Sequence, residues 1–238
     1  MSHNNYFQFK QFKIIQEKAA MKVNTDGVLL GAWANLEGVN SVLDVGTGTG
    51  LIALMIAQRC NAQITGVEIE KNAAEEAFEN VQNSKWGKRI FIQNTSFQHF
   101  AANTESKFDL IISNPPFFTN SEKNINPHLS IARHNHLLPF ADIIAGTVKL
   151  LTKPGKLSLI LPFENANDFV KNASLNGLHL SRLTEVKPFP DKLPNRCLLE
   201  FGNENTIFEK SQISVFSEVK NEYSVEFKKL AADFYLKL

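Results

Sequence analysis

The stretch Val42-Leu43-Asp44-Val45-Gly46-Thr47-Gly48-Thr49-Gly50-Leu51 decides the fold: an apolar strand runs into a glycine-rich turn and then into a helix. Glycine lacks a Cβ, so such a turn can take positive φ angles and bring the free N–H groups of a helix start close to a ligand. The next strand is expected over 63–68 and ends on Glu68, 22 residues after Gly46. A carboxylate at that place can accept hydrogen bonds from two ribose hydroxyls. Turn and acid together predict a nucleoside cofactor.

Glycine spacing narrows the choice. The dinucleotide fingerprint is G-x-G-x-x-G, whereas Gly46, Gly48 and Gly50 give G-x-G-x-G, with Leu51 where the third glycine would fall. Asp44, just before the turn, can pair with the ammonium of an amino-acid moiety. S-adenosyl-L-methionine carries such a group and NAD does not.

Outward from this turn, short β-branched runs alternate with helical stretches, the signature of βα units around a mostly parallel sheet. Strands are expected at 41–45, 63–68, 90–93, 108–113, 156–161, 180–187 and 197–201. Helices are expected at 50–59, 71–83, 141–151 and 164–176, the third stopped by Lys153-Pro154-Gly155. The fold class is α/β, a seven-stranded, mostly parallel sheet with helices on both faces. Behind it, 206–215 reads as a further strand and 226–235 as a closing helix. Ahead of it, the aromatic run 6–14 reads as a strand or hairpin packed over the domain, with base stacking as the alternative.

A chain of 238 residues, 43% of them hydrophobic, fits a single domain. Residues 1–40 form an N-terminal extension that covers cofactor or substrate, 41–202 the catalytic core, and 203–238 the C-terminal strand and helix. Twenty-five Lys and Arg against 24 Asp and Glu leave a net charge of +1, which excludes a uniformly basic, histone-like chain. Charge is nevertheless local: the first 22 residues hold Lys10, Lys13, Lys18 and Lys22 against Glu17 alone, a pattern compatible with nucleic acid. The opening stretch does not read as a leader, and no segment has the roughly 18 uninterrupted apolar residues of a membrane span. A soluble, cytoplasmic protein is expected, without membrane contact. Cys60 and Cys197 have no CxxC or Cys/His spacing and none of the six histidines has a ligand spacing, so neither a disulfide nor a metal site is expected.

A second motif, Ser113-Asn114-Pro115-Pro116-Phe117, closes the fourth strand on the edge of the sheet that carries the cofactor turn. The Asn114 side-chain oxygen and the Pro115 carbonyl can each accept a hydrogen bond from a planar amine, drawing its lone pair out of conjugation. Consecutive prolines offer no competing donor and hold the carbonyls aimed. Phe117 can stack on a flipped-out base.

Gly46-Thr47-Gly48-Thr49-Gly50 with Asn114-Pro115-Pro116-Phe117 resembles the Rossmann-like class I methyltransferases that modify amino nitrogens. Within that group, Phe9-Lys10-Gln11-Phe12 and the run from Ala20 to Trp33 closely resemble the tRNA1(Val) adenine N6-methyltransferases, which modify the adenine beside the anticodon. Similarity continues through Ala132-Arg133-His134, Leu193-Pro194-Asn195-Arg196 and Asp233-Phe234-Tyr235. The resemblance implies that Thr25 and Asp26 lie near the methionine end of the cofactor, and that Lys22 faces its carboxylate or an RNA phosphate. It also implies an acidic residue on the cofactor's adenine, where this chain has Ser96, a weak acceptor for the adenine amine. Lys123, Arg133 and His134 then form, with Lys10, Lys13 and Lys22, a patch for tRNA around the Asn114 pocket. The enzyme is expected to act as a monomer.

Competing readings share the motif. Protein glutamine N5-methyltransferases carry Asn-Pro-Pro but add a helical domain before the core, and ribosomal RNA guanine N2-methyltransferases often duplicate the domain. A non-catalytic RNA-binding relative would not need Asp44, Glu68 and Asn114 together.

Overall fold

Val42 and Leu43, neighbours in the strand Ser41–Val45, turn to opposite faces of the sheet, Val42 into one core and Leu43 into another, as the two-residue period of a strand requires. A computed structural model of the chain describes residues 5–116, 138–219 and 221–238. In chain order its elements are β1 (Tyr6–Gln8), β2 (Lys13–Ile15), α1 (Thr25–Trp33), β3 (Ser41–Val45), α2 (Leu51–Arg59), β4 (Gln63–Glu68), α3 (Lys71–Gln82) and β5 (Ile90–Asn94). They continue as α4 (Phe97–Asn103), β6 (Phe108–Ser113), α5 (Phe140–Leu150), β7 (Leu151–Pro162), α6 (Phe163–Leu175), β8 (His179–Lys187), β9 (Arg196–Gly202), β10 (Glu209–Ser214) and α7 (Val225–Ala231).

The main sheet runs β10-β8-β9-β7-β6-β3-β4-β5. β9 is antiparallel to both neighbours, and every other pairing is parallel. The expected seven strands are corrected to eight among the described residues. The added strand, β10, is mostly exposed and polar, so no apolar alternation marks it as part of the sheet; it is held through backbone pairing of Glu209–Ser214 with Arg182–Lys187 of β8. Two helices also escaped the sequence pattern. α1 is buried from Gly27 to Ala32 and therefore has no polar stripe, and α4 spans only 7 residues. Gly31 lets α1 approach α2, because a Cβ there would meet Met55 Sδ at 2.8 Å.

One core gathers Leu30, Val42, Leu54 and Ile64 with Phe9, Ile14, Phe227 and Phe234, so the first and last segments close over the same face as α1 and α2. The other gathers Leu43, Phe97, Ile144, Leu159 and Phe169 on the α4, α5 and α6 face. The N-terminal aromatics do pack: Phe9 and Phe12 are buried, Phe9 stacks on Phe12 at 4.7 Å, and Phe12 meets Trp86 edge-on at 6.0 Å. Phe9 and Phe12 are therefore not base-stacking surfaces, while Tyr6 at the start of the run is exposed. Among the described residues no helix is long and apolar enough to cross a membrane.

Candidate cofactor and substrate site

The carboxyl ends of four adjacent strands, β6, β3, β4 and β5, converge on a cavity of about 570 Å³, lined among others by Gly46, Gly48, Glu68, Ser96, Gln98 and Asn114. β3 lies between β4 and β6, so connections leave to either side and open a crevice, the general ligand site of such sheets.

The turn after β3 is tied down by the Gly46 and Thr47 amides, which donate to the Val67 carbonyl at 2.9 and 3.0 Å. Gly46 and Gly48 have φ angles of 70° and 56°, a region side chains avoid, and the space where their Cβ atoms would stand is open. Glu68 presents its carboxylate from the next strand. Its Oε2 accepts from the Gly48 amide and its Oε1 from the Glu70 amide, both at 2.9 Å. Each carboxylate oxygen has further acceptor capacity, so Glu68 is oriented by the protein and still able to receive hydroxyls.

Asp44 lies beneath the turn and is fully buried. Its Oδ2 accepts from the Thr47 hydroxyl at 2.6 Å, and its Oδ1 has no hydrogen-bond partner. Burial raises this acid from 3.8 to about 7; Thr47 and the Ala53 amide draw it down, and the nearby Glu68 charge pushes it up again. A cation arriving at Oδ1 would return it to the ionised form.

Asn114 follows β6 directly. Ser113 Oγ, buried, donates to the Val45 carbonyl at 2.8 Å and fixes the end of β6 to the end of β3. Asn114 is half-buried and its amide has no partner among the described residues, while Pro116 lines the cavity and Pro115 is buried. Ser96 lines the cavity too, but as N-cap of α4 it already accepts from the His99 amide at 3.1 Å. Its O–H is free to donate inward, and its second lone pair leaves it the weak acceptor expected from sequence.

Gly50 caps α2 in the left-handed region with φ 84° and is not among the residues that line the cavity. Thr25 and Asp26 open α1, where Asp26 pairs with Arg196 Nε at 2.8 Å, and neither lines the cavity. Lys22 directly follows Met21, a lining residue. Lys10 and Lys13 are not brought to the site. Lys10 Nζ donates to the Ala232 carbonyl at 2.6 Å and Lys13 sits 5.2 Å over the Tyr6 ring. Their hairpin packs beside the carboxyl end of α3, roughly 13 Å of helix from the end that meets the cavity. Phe117, Lys123, Arg133 and His134 lie outside the described residues.

Two residues that sequence reasoning passed over build a wall. Glu76 of α3 is buried, and its carboxylate accepts from the amides of Glu17 and Lys18 at 2.6 Å each and of Ala19 at 2.9 Å. One turn further along α3, Asn80 Oδ1 accepts from the Ile15 amide at 2.7 Å, and its Nδ2 donates to the Ile15 and Thr49 carbonyls at 2.9 Å each. Together they fasten the N-terminal extension to the cofactor turn and place Ala19, Ala20 and Met21 on the cavity wall. The rim is apolar as well: Met21 is 50% and Ile69 44% exposed.

The methyltransferase small domain family model matches residues 27–164. Curated tRNA1(Val) (adenine(37)-N6)-methyltransferases from Trichodesmium erythraeum and Parabacteroides distasonis are 44% and 42% identical, over 98% and 99% of both chains. The chain belongs to the tRNA1(Val) (adenine(37)-N6)-methyltransferase family. It is a methyltransferase of the class I fold. Among solved structures, a predicted O-methyltransferase from Agrobacterium tumefaciens aligns with TM-score 0.68 at 17% identity, covering 88% of this chain and 96% of that one. A ribosomal protein L11 methylase from Lactobacillus delbrueckii aligns with TM-score 0.53 at 18% identity, over 75% and 78%. At such identities these two speak for the fold alone.

Proposed function

We propose that this enzyme moves a methyl group from S-adenosyl-L-methionine to the exocyclic N6 of the adenine beside the anticodon of tRNA1(Val), acting in the cytoplasm as a monomer. The observation that carries the reading is the single cavity shared by the Glu68 carboxylate and the Asn114 amide.

The residues present fit the cofactor. Glu68 has acceptor capacity for ribose hydroxyls, Gly46 and Gly48 leave the approach open, and Asp44, buried beneath the turn with Oδ1 unpartnered, is the acid we assign opposite the ammonium. The bound cofactor supplies an electrophilic methyl on a positively charged sulfur, a good leaving group. Asn114 and the Pro115 carbonyl accept hydrogen bonds from the adenine amine and hold its lone pair toward that methyl. No side chain need act as general base, since the proton can leave after transfer. Thr25 and Asp26 at the start of α1 and Gly50 at the start of α2 are the residues we assign to the support of this site. Lys22, Lys123, Arg133 and His134 are the cations we assign to tRNA beside the pocket, and Phe117 to the base; Lys10 and Lys13, exposed on the N-terminal hairpin, would meet tRNA only away from the cavity.

The test is identification of the product. Purified protein with labelled S-adenosylmethionine and total tRNA from cells lacking the gene should give label in N6-methyladenosine after digestion. Label in a methylated guanine, or in protein glutamine, would overturn the substrate.

A further inference from the structure

We infer that Gln98, held by Asp142, is the acceptor that recognises the exocyclic amine of the cofactor's own adenine; this rests on the cofactor reading above. A nucleoside whose ribose lies on Glu68 extends its base along the cavity toward the end of β5. That part of the wall carries Ile69, Ser96, Phe97, Gln98 and Leu138. Ile69 and Leu138 offer apolar faces for a flat ring, and Gly146 of α5 lets the Phe97 ring lie back against the helix, since a Cβ there would collide with it.

An adenine amine needs an acceptor, and two of those nearby already carry hydrogen bonds from the backbone. Ser96 Oγ receives the His99 amide. Glu70 caps α3 with both oxygens, toward the Asn72 and Ala73 amides at 3.0 and 2.7 Å. Gln98 differs. Its Nε2 donates to Asp142 Oδ2 at 2.8 Å, and because a carboxylate can only accept, this bond fixes which end of the amide points to Asp142. Oε1 is thereby turned away from Asp142 and has no partner among the described residues. An amide oxygen selects an amine over a ring hydrogen or a carbonyl. The Ser96 hydroxyl, free as a donor, complements the adjacent ring nitrogen. Asp142 is a positioning residue: it sets the direction in which Gln98 presents its oxygen.

The experiment is calorimetric titration of S-adenosylhomocysteine and of its purine-riboside analogue, which lacks only the 6-amino group. The wild-type protein should prefer the amino compound by about 2- to 10-fold, the range of one hydrogen bond. Gln98→Ala should abolish that preference by weakening the amino compound alone. Asp142→Ala should reduce the preference, and Asp142→Asn, whose amide oxygen can still accept from Gln98, should restore it. Gln98 is exposed, so its replacement leaves the fold intact. An undiminished preference in Gln98→Ala overturns the inference while leaving the cofactor reading standing. If neither compound binds the wild-type protein, both fall.

Discussion

Asn114→Ala should lose turnover by roughly 10²-fold or more while S-adenosylhomocysteine affinity stays near that of the wild type, the signature of a preorganised polar partner acting on the transition state. An adenine N6 amine is a poor nucleophile because its lone pair is delocalised into the ring. Two acceptors aimed at its hydrogens favour the pyramidal form that attacks. The Asn114 amide meets no partner among the described residues, and the strand end that carries it is fixed by the buried Ser113 hydroxyl on the Val45 carbonyl, so its oxygen is available without prior rearrangement. Asn114→Asp should fall between, since a carboxylate still accepts. Single-turnover methylation of tRNA, with cofactor affinity measured separately, checks this. A wild-type rate in Asn114→Ala would remove the residue from the chemistry.

Glu76→Ala should destabilise the protein by about 2–4 kcal/mol and loosen cofactor binding with it. Three backbone amides, those of Glu17, Lys18 and Ala19, converge on this one buried carboxylate, and a hydrogen bond to a charged group contributes about 1.5–3 kcal/mol net of its exchange with water. Water can reach part of the freed segment, because Glu17 and Lys18 are exposed, which keeps the loss below the sum of three bonds. Glu76→Gln should be milder, because one amide oxygen remains to accept. Urea unfolding followed by circular dichroism gives the free energy. A change within about 0.5 kcal/mol, the range of ordinary surface substitutions, would show that Glu76 does not clamp the extension.

The parts of this protein that were legible in its sequence are those written locally. The strand-turn-helix at Gly46 and the acid at Glu68 are short-range signals. So is Asn-Pro-Pro, and all three reach one cavity. Glu76 was opaque because on α3 it looks like one more helical charge; its partners lie 57 to 59 residues away. Gln98 and Asp142 are 44 residues apart and belong to different helices. Lys10 and Lys13 misled in the other direction. Their clustering suggested a face around the Asn114 pocket, but the aromatic side chains between them anchor the hairpin beside α3 and α7, so the exposed lysines stand away from the cavity. β10 was visible as a strand, though not as a member of the sheet, since an exposed edge carries little hydrophobic pattern.

Calorimetric titration of S-adenosylhomocysteine and NAD into the wild-type protein and Glu68→Ala tests most directly whether the cavity between Gly48, Glu68 and Asn114 is the seat of the methyl donor. The wild type should bind S-adenosylhomocysteine and give no heat with NAD, and Glu68→Ala should bind S-adenosylhomocysteine more weakly by about 1.5–3 kcal/mol. Micromolar binding of NAD with no heat from S-adenosylhomocysteine, or unchanged affinity in Glu68→Ala, would contradict it.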